Sequence, residues 1–114
     1  MARMSENRFF VDKVCTVGDT YSDTIPLDYI YGYSVECDWT VTPGTNAVIY
    51  LIASNCEDKA DDKFLPIDCS AEVITTNDGK IYNITWPMYR FFKLKVHVIA
   101  GSVTMNANFY CKGV

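Results

Sequence analysis

Few residues of this chain have the chemistry and spacing that a catalytic site requires. His97 is the single histidine, so a Ser-His-Asp or Cys-His arrangement would have to use it. No nucleophile-elbow motif or other local signature accompanies it. It lies between Lys95 and Ile99, with no cysteine or carboxylate at ligand spacing. We therefore predict a solvated or interface histidine and a protein that is not an enzyme, with no catalytic residues and no cofactor.

The five cysteines show no zinc or redox motif. They are Cys15, Cys37, Cys56, Cys69 and Cys111, and no pair has Cys-x-x-Cys spacing. The odd count leaves at least one thiol unpaired within the chain. Cys37 and Cys111 fall in phase with apolar residues and are predicted to be small core side chains. Cys56 and Cys69 flank a polar loop and could be close in space, but we expect reduced thiols from a reducing cytoplasm.

The acidic loop over residues 57–62 could bind a hard cation. Its sequence, Glu-Asp-Lys-Ala-Asp-Asp, offers carboxylate oxygens, which Ca²⁺ prefers as ligands. It lacks the alternating ligands and the central glycine of an EF-hand loop. Carboxylate pairs for glycoside hydrolysis would need a cleft, of which the sequence gives no sign. A solvated loop is the preferred interpretation, and no metal ligands are assigned.

Aromatic and basic side chains are better candidates for contacts with a partner. The tyrosines at 29, 31 and 33 could stack on sugars or on another protein, since a tyrosine ring can be buried while its hydroxyl stays in water. The alternative is that these rings pack at one end of the folded domain. Lys93 and Lys95 could pair with an acidic partner, or they could simply lie on the solvent-exposed face of a sheet. The predicted contact residues are Arg3, Arg8, Phe9, Phe10, Tyr29, Tyr31, Tyr33, Lys93 and Lys95.

The elements that position these residues are predicted to be strands. Residues 89–100 show the clearest alternation, with Phe92, Leu94, Val96 and Val98 on one face and Lys93, Lys95 and His97 on the other. Because successive side chains of a strand point to opposite faces, this pattern predicts a half-buried strand with a wet, basic outer face.

Further strands and turns follow the same logic. Residues 33–41 and 102–111 alternate in the same way, and residues 47–53 are continuously apolar. Asp78-Gly79 predicts a hairpin between strands at 71–75 and 81–86, and Gly101-Ser102 predicts a hairpin of the last two strands. About seven or eight short strands, with turn signals every 8 to 12 residues or so, are typical of a sandwich or barrel.

Length and charge limit the remaining classes. The 114 residues suit one domain, with residues 1–14 as an N-terminal arm or first strand and residues 15–114 as the sandwich. A net charge of −4 argues against non-specific nucleic-acid binding. No apolar run reaches the roughly 18 residues of a membrane span, and we expect no secretory signal. The predicted fold is all-β: a single antiparallel β-sandwich, jelly-roll-like, with a short N-terminal arm.

Four stretches, in this order, carry a resemblance to a known group. They are Ile-Pro-Leu-Asp-Tyr-Ile-Tyr-Gly-Tyr-Ser-Val at 25–35, Leu-Ile-Ala-Ser-Asn at 51–55, Tyr-Arg-Phe-Phe-Lys-Leu-Lys-Val at 89–96, and the ending from Val103 to Phe109 with Lys112-Gly113. This order resembles the small β-sandwich virion proteins of tailed bacteriophages, with crAss-like phages of the gut among the expected carriers. The resemblance covers roughly residues 20–113.

The resemblance implies a non-enzymatic structural protein of the virion, assembled in the cytoplasm of a bacterial host. Its expected role is that of an auxiliary or decoration protein that binds the major capsid protein or other virion proteins, with a homo-oligomer left open and neither nucleic acid nor membrane as partner. A head-fibre or tail component is an alternative in the same group. The alternative from another class is a carbohydrate-binding module that uses Tyr29, Tyr31 and Trp86 as stacking platforms.

Overall fold

The computed structural model shows two antiparallel β-sheets packed face to face, which confirms the predicted all-β sandwich. It describes residues 3–27, 30–56, 60–67, 71–85 and 87–113; within these ranges the side chains at 3–9, 30, 31, 62, 112 and 113 are not described. In this part of the chain, no helix has the length and apolar character needed to cross a membrane.

Ten strands and one short 3₁₀ helix, Asp61–Lys63, occur in the described ranges. The strands are β1 (Arg3–Cys15), β2 (Gly18–Tyr21), β3 (Ile25–Pro26), β4 (Ile30–Val41), β5 (Asn46–Ser54), β6 (Leu65–Pro66), β7 (Glu72–Ile74), β8 (Asp78–Thr85), β9 (Phe91–Ala100) and β10 (Val103–Gly113). The first sheet has the order β1-β10-β4-β8. The second has the order β2-β9-β5-β6, with β3 also pairing with β9 and β7 with β5.

Both predicted hairpins are wrong, because the chain crosses to the other sheet at each of these turns. β7 pairs with β5 in the second sheet, whereas β8 pairs with β4 in the first. In the same way, β9 belongs to the second sheet and β10 to the first. An alternating pattern says which face of a strand is buried. It does not say whether the next strand lies beside it or across the core.

The Asp78-Gly79 signal marks a close approach of two backbones and not a turn. Both residues lie inside β8. A Cβ atom on Gly79 would come within 2.9 Å of the carbonyl oxygen of Cys37 in β4, so a glycine lets the two strands pair tightly at this point. The chain turns earlier, over residues 75–77.

The core lies between the sheets and contains the inward residues predicted from the alternation. Phe92 of β9 is fully buried. Its ring centroid is 5.0 Å from that of Tyr33 in β4 and 5.5 Å from that of Phe109 in β10. Burying one such side chain contributes about 1.5–3 kcal/mol. Cys37 and Cys111 are also buried in this core, as predicted.

One end of the sandwich is held by hydrogen bonds between two crossing turns. The Thr42 N–H donates to the Ser102 carbonyl at 3.2 Å, and the Ser102 N–H donates to the Thr42 hydroxyl at 3.0 Å. The buried Thr45 hydroxyl donates to the Thr42 carbonyl at 2.7 Å. At the same end the indole N–H of Trp39 donates to the Thr76 carbonyl at 2.9 Å. These bonds fix where β5, β8 and β10 begin.

The N-terminal segment predicted as an arm or first strand contains most of β1. This strand pairs with β10 from Arg3–Gly113 to Cys15–Val103, with two register shifts. Phe10 and Cys15 point into the core, with exposed fractions of 5% and 0%. Asp12 lies at the second shift with φ of 46°, and its N–H donates to Asn106 Oδ1 at 2.8 Å.

Candidate contact surface on the second sheet

The only histidine lies on the outer face of the second sheet beside a carboxylate that the sequence analysis missed. His97 Nδ1 is 2.6 Å from Asp19 Oδ1, and Lys95 Nζ is 4.0 Å from Asp19 Oδ2. The antiparallel pairing of β2 with β9 brings Asp19 opposite His97. The two residues are 78 positions apart, so no local spacing signals the pair.

The contact between His97 and Asp19 lies at the surface of the sheet. The side chains of His97 and Asp19 are 42% and 39% exposed. Among their described contacts neither side chain bonds to a hydroxyl or thiol that a base could activate. Within the described ranges no group of three or more His, Cys, Asp or Glu side chains is placed to hold a metal ion.

Cross-strand rows of side chains organise the rest of this face. In one row the pairing sets Asp19, His97, Val48 and Val73 side by side. In the next row Lys95 lies between two tyrosines, with its Nζ 5.9 Å from the ring centroid of Tyr21 and 5.5 Å from that of Tyr50.

Three apolar side chains add to the surface. Val17, Val73 and Ile99 are 68%, 66% and 53% exposed. We use the term open face for the surface formed by Val17, Asp19, Tyr21, Val48, Tyr50, Val73, Lys95, His97 and Ile99. It combines apolar, aromatic and charged groups, as the surface of a protein–protein contact does.

The other half of the outer face is covered, so the wet, basic face predicted from the sequence is present only in part. Lys93 is 8% exposed and is bonded to the carboxylate of Asp61. Its Nζ lies 4.8 Å from the ring centroid of Phe64, which packs with Ile52 and Phe91 in a small second cluster. No pattern in the sequence predicts that residues 61–64 fold back over β9.

Two predicted contact residues have positions inside the sandwich. Tyr33 is 4% exposed, and its hydroxyl is 2.6 Å from the hydroxyl of Tyr89. Burial raises the pKa of both tyrosines. Phe10 is also in the core. The side chains of the remaining candidates, together with Trp86 of the carbohydrate alternative, lie outside the described residues: Arg3, Arg8, Phe9, Tyr29 and Tyr31.

The acidic loop and the remaining thiols offer little chemistry where they are described. Residues 57–59 and Cys69 are outside the described ranges, so cation binding and a Cys56–Cys69 contact stay untested. Cys56 is exposed. Burial, followed by the charges of Asp38 and Glu36, raises the pKa of Cys37 to about 12. That thiol is therefore protonated and inert at neutral pH.

A groove of about 520 Å³ lies between the ends of β5 and β6. Its lining is mainly apolar and includes Leu65, Ile67 and Tyr89. Its polar groups are engaged locally, since the Ser54 hydroxyl accepts from the Cys56 N–H at 3.0 Å and Asn55 Oδ1 accepts from the Arg90 N–H at 3.1 Å. Among the described residues that line it, the groove therefore presents few free groups to orient a ligand.

No family model matches the chain, and no curated protein matches it. Several solved structures share its fold. The SPBc2 prophage-derived protein YomS has a TM-score of 0.60 and 10% identity, with 99% of this chain and 96% of that chain covered. A chain from the structure of Bacillus endospore appendages, described as disulfide-linked pili, has a TM-score of 0.60 and 10% identity, with coverage of 100% and 90%.

A chain of infectious bursal disease virus, Gt strain, has a TM-score of 0.62 and 14% identity. The match covers 97% of this chain but 32% of the viral chain, so this protein corresponds to about a third of that chain's length. At such identities these similarities show a common fold.

Proposed function

We propose that this protein is a non-enzymatic structural component of a tailed-phage virion, and specifically an auxiliary or decoration protein that binds the capsid. One observation carries the proposal: nearly the whole chain shares its fold with a prophage-derived protein and with a chain of a virus structure. The four sequence stretches that resemble small phage virion proteins point to the same class.

The order of the strands supports this class, because it is the order of a jelly roll. When β2 with β3, and β6 with β7, are each counted as one strand, the chain has eight. The first sheet then has the order 1-8-3-6 and the second 2-7-4-5. Two interlocking Greek keys produce this order, and viral capsid domains are among the proteins that use it, although lectins use it too.

The open face is the surface that we assign to the capsid contact. It presents Lys95, the Asp19–His97 pair and the exposed side chains of Val73 and Ile99. One such patch on a small domain would bind weakly. A symmetric shell offers many equivalent sites, and a decoration protein that touches several of them gains avidity without further contacts.

Co-sedimentation with isolated tailed-phage capsids tests the proposal. We expect the wild-type protein to bind and Lys95→Glu to bind at least about tenfold more weakly, which corresponds to about 1.4 kcal/mol. Lys13→Glu is the matched control, since it makes the same charge change at an exposed position in β1. Equal binding of both variants would remove the open face from the contact, and no binding by the wild type would contradict the proposed role.

The predicted contact residues Arg3 and Arg8 have to be tested by substitution and not by truncation. Deleting residues 1–14 would remove Phe10 from the core and nearly all of β1, so a loss of binding would follow from unfolding alone. Replacing Arg3 and Arg8 by serine keeps the strand. If these side chains contact the capsid, the double variant co-sediments less than the wild type while its unfolding midpoint is unchanged.

Carbohydrate binding is the second candidate function, and one observation favours it. The rings of Tyr21 and Tyr50 flank Lys95 on the open face, and aromatic rings beside a charged group can stack on a sugar and hydrogen-bond it. A glycan array decides between the two candidates. Retention on the array, together with no binding to capsids, would favour this one.

A further inference from the structure

The exposed edges of the two sheets differ in how well they are protected from pairing with another chain. An unprotected edge strand offers free N–H and C=O groups to any further strand. β1 has two register shifts along its length. On the second sheet, Pro26 lies in β3, and β6 and β7 have two and three residues, with Pro66 in β6. Bulges, prolines and short strands are known protections of sheet edges.

β8 has none of these protections. It has eight residues, Asp78–Thr85, without a proline. It pairs with β4 from Gly32–Thr85 to Trp39–Asp78 without a register shift. It lies at the end of the first sheet, where no other described strand pairs with it. This edge is therefore straight and long enough to accept a further strand.

Apart from Asp78 at its start, the side chains of β8 do not oppose such pairing. The four that alternate on its outer face, at 79, 81, 83 and 85, are uncharged. Ile81 lies in the middle and is 57% exposed. The one lysine, Lys80, is 3.1 Å from Glu72 of β7, and its Nζ lies 4.8 Å from the ring centroid of Tyr82. Its charge is neutralised within the chain.

We propose that the edge of β8 is a homodimer interface, in which β8 pairs antiparallel with β8 of a second copy around a two-fold axis at Ile81. The two four-stranded sheets would then form one continuous sheet across both copies. In an antiparallel pair, residues directly opposite one another point to the same face. A two-fold axis makes the interface self-complementary, so both copies use the same edge.

The register at Ile81 follows from the residues that it places opposite one another. Ile81 faces Ile81 of the second copy, Lys80 faces Tyr82, and Asp78 faces Ile84. Moving the axis to Lys80 would set Ile81 opposite Gly79, which has no side chain to pack against it. Moving it to Tyr82 would set Ile81 opposite Asn83 and lose the apolar pair. The strand thus matches a second copy of itself in one register best.

Disulfide cross-linking tests the register directly. In an antiparallel pair, directly opposite Cα atoms are about 4.5–5.5 Å apart, within the range that a disulfide spans. In a Cys56→Ser/Cys69→Ser background, which removes the exposed thiol and the one outside the described ranges, Ile81→Cys should give a covalent dimer on mild oxidation. Ile99→Cys, exposed to a similar degree on the second sheet, should stay monomeric. Equal cross-linking of the two variants would overturn the proposal.

Sedimentation equilibrium of the free protein gives the second test, which is independent of capsid binding. The wild type should dimerise, and Ile81→Lys should raise the dissociation constant at least about tenfold because like charges then meet at the axis. Ile99→Lys should leave it unchanged. A wild type that is monomeric throughout the concentration range, or an Ile81→Lys variant that dimerises as well as the wild type, would contradict the proposal. Should Ile81→Lys fail to fold, the cross-linking result decides.

Discussion

The turn between β9 and β10 depends on a single glycine. Gly101 has φ of 79°, a conformation that disfavours other residues. A Cβ atom there would collide with the Thr45 hydroxyl and lie 2.7 Å from the Thr45 Cα. Thr45 cannot move aside easily, because its hydroxyl bonds to the Thr42 carbonyl at 2.7 Å.

We expect Gly101→Ala to lower the free energy of unfolding by about 2–4 kcal/mol, from backbone strain and overpacking together. Gly44→Ala is the matched control. Gly44 has the same φ of 79° but no atom within 4 Å of an added Cβ, so the strain alone should cost about 1 kcal/mol. Urea unfolding measures both. Equal losses would mean that the contact with Thr45 adds nothing.

The buried thiol of Cys37 makes the free energy of unfolding depend on pH in the alkaline range. Its pKa is raised from 9.0 to about 12. Above pH 9 the Cys37 thiol loses its proton in the unfolded chain but keeps it in the folded protein. The contribution of this thiol to the free energy of unfolding is therefore fully present below pH 9 and is lost as the pH rises toward 12.

Between these two pH values the free energy of unfolding should fall less steeply with pH in Cys37→Ala, by up to about 1.4 kcal/mol per pH unit. Urea unfolding at a series of pH values between neutral and strongly alkaline measures the slope. Cys56→Ala, at an exposed position, should keep the wild-type slope. A Cys37→Ala variant with the wild-type slope would show that this thiol does not carry the effect.

At the scale of elements, the segment from Asp61 to Phe64 acts as a cover on the second sheet. Phe64 is 5% exposed and packs on Ile52 and Phe91. The Asp61–Lys93 ion pair fastens the segment at its start. The Asp61 side chain is 47% exposed, so solvent screens the pair and the apolar contact contributes more.

We expect Phe64→Ala to destabilise the protein by about 3 kcal/mol and Asp61→Asn by about 1 kcal/mol. Leu65→Ala, at a 66% exposed position, should stay within about 0.5 kcal/mol of the wild type. Thermal unfolding of the three variants gives the order of their losses in stability. If Phe64→Ala and Leu65→Ala behaved alike, the segment would not cover the sheet in solution.

The elements also show which parts of the fold the sequence could predict. β4, β9 and β10 alternate clearly, so their buried faces were predictable from period two alone. The pairing of strands was not, because Gly101-Ser102 marks a turn whether the chain continues in the same sheet or crosses to the other. The Asp19–His97 contact and the burial of Lys93 depend on this long-range pairing and on the fold of residues 61–64.

For the whole molecule, the main strand-to-strand turns, β4–β5, β7–β8, β8–β9 and β9–β10, each carry the chain from one sheet to the other. The two sheets of the sandwich are therefore connected by several turns. The described residues form a small groove and no central cleft. Such a body presents its outer sheet faces and sheet edges to partners. The open face and the edge of β8 lie on different sheets, so one copy could bind a shell and a second copy at the same time.

The stoichiometry of binding to isolated tailed-phage capsids tests the central claim most directly. The purified protein would be sedimented with capsids, and bound copies counted against the major capsid protein as its concentration is raised. A structural role predicts saturation at a fixed, symmetry-related ratio, because a shell offers a defined number of equivalent sites. Absence of co-sedimentation, or uptake that never saturates, would contradict the assignment of this protein to the virion.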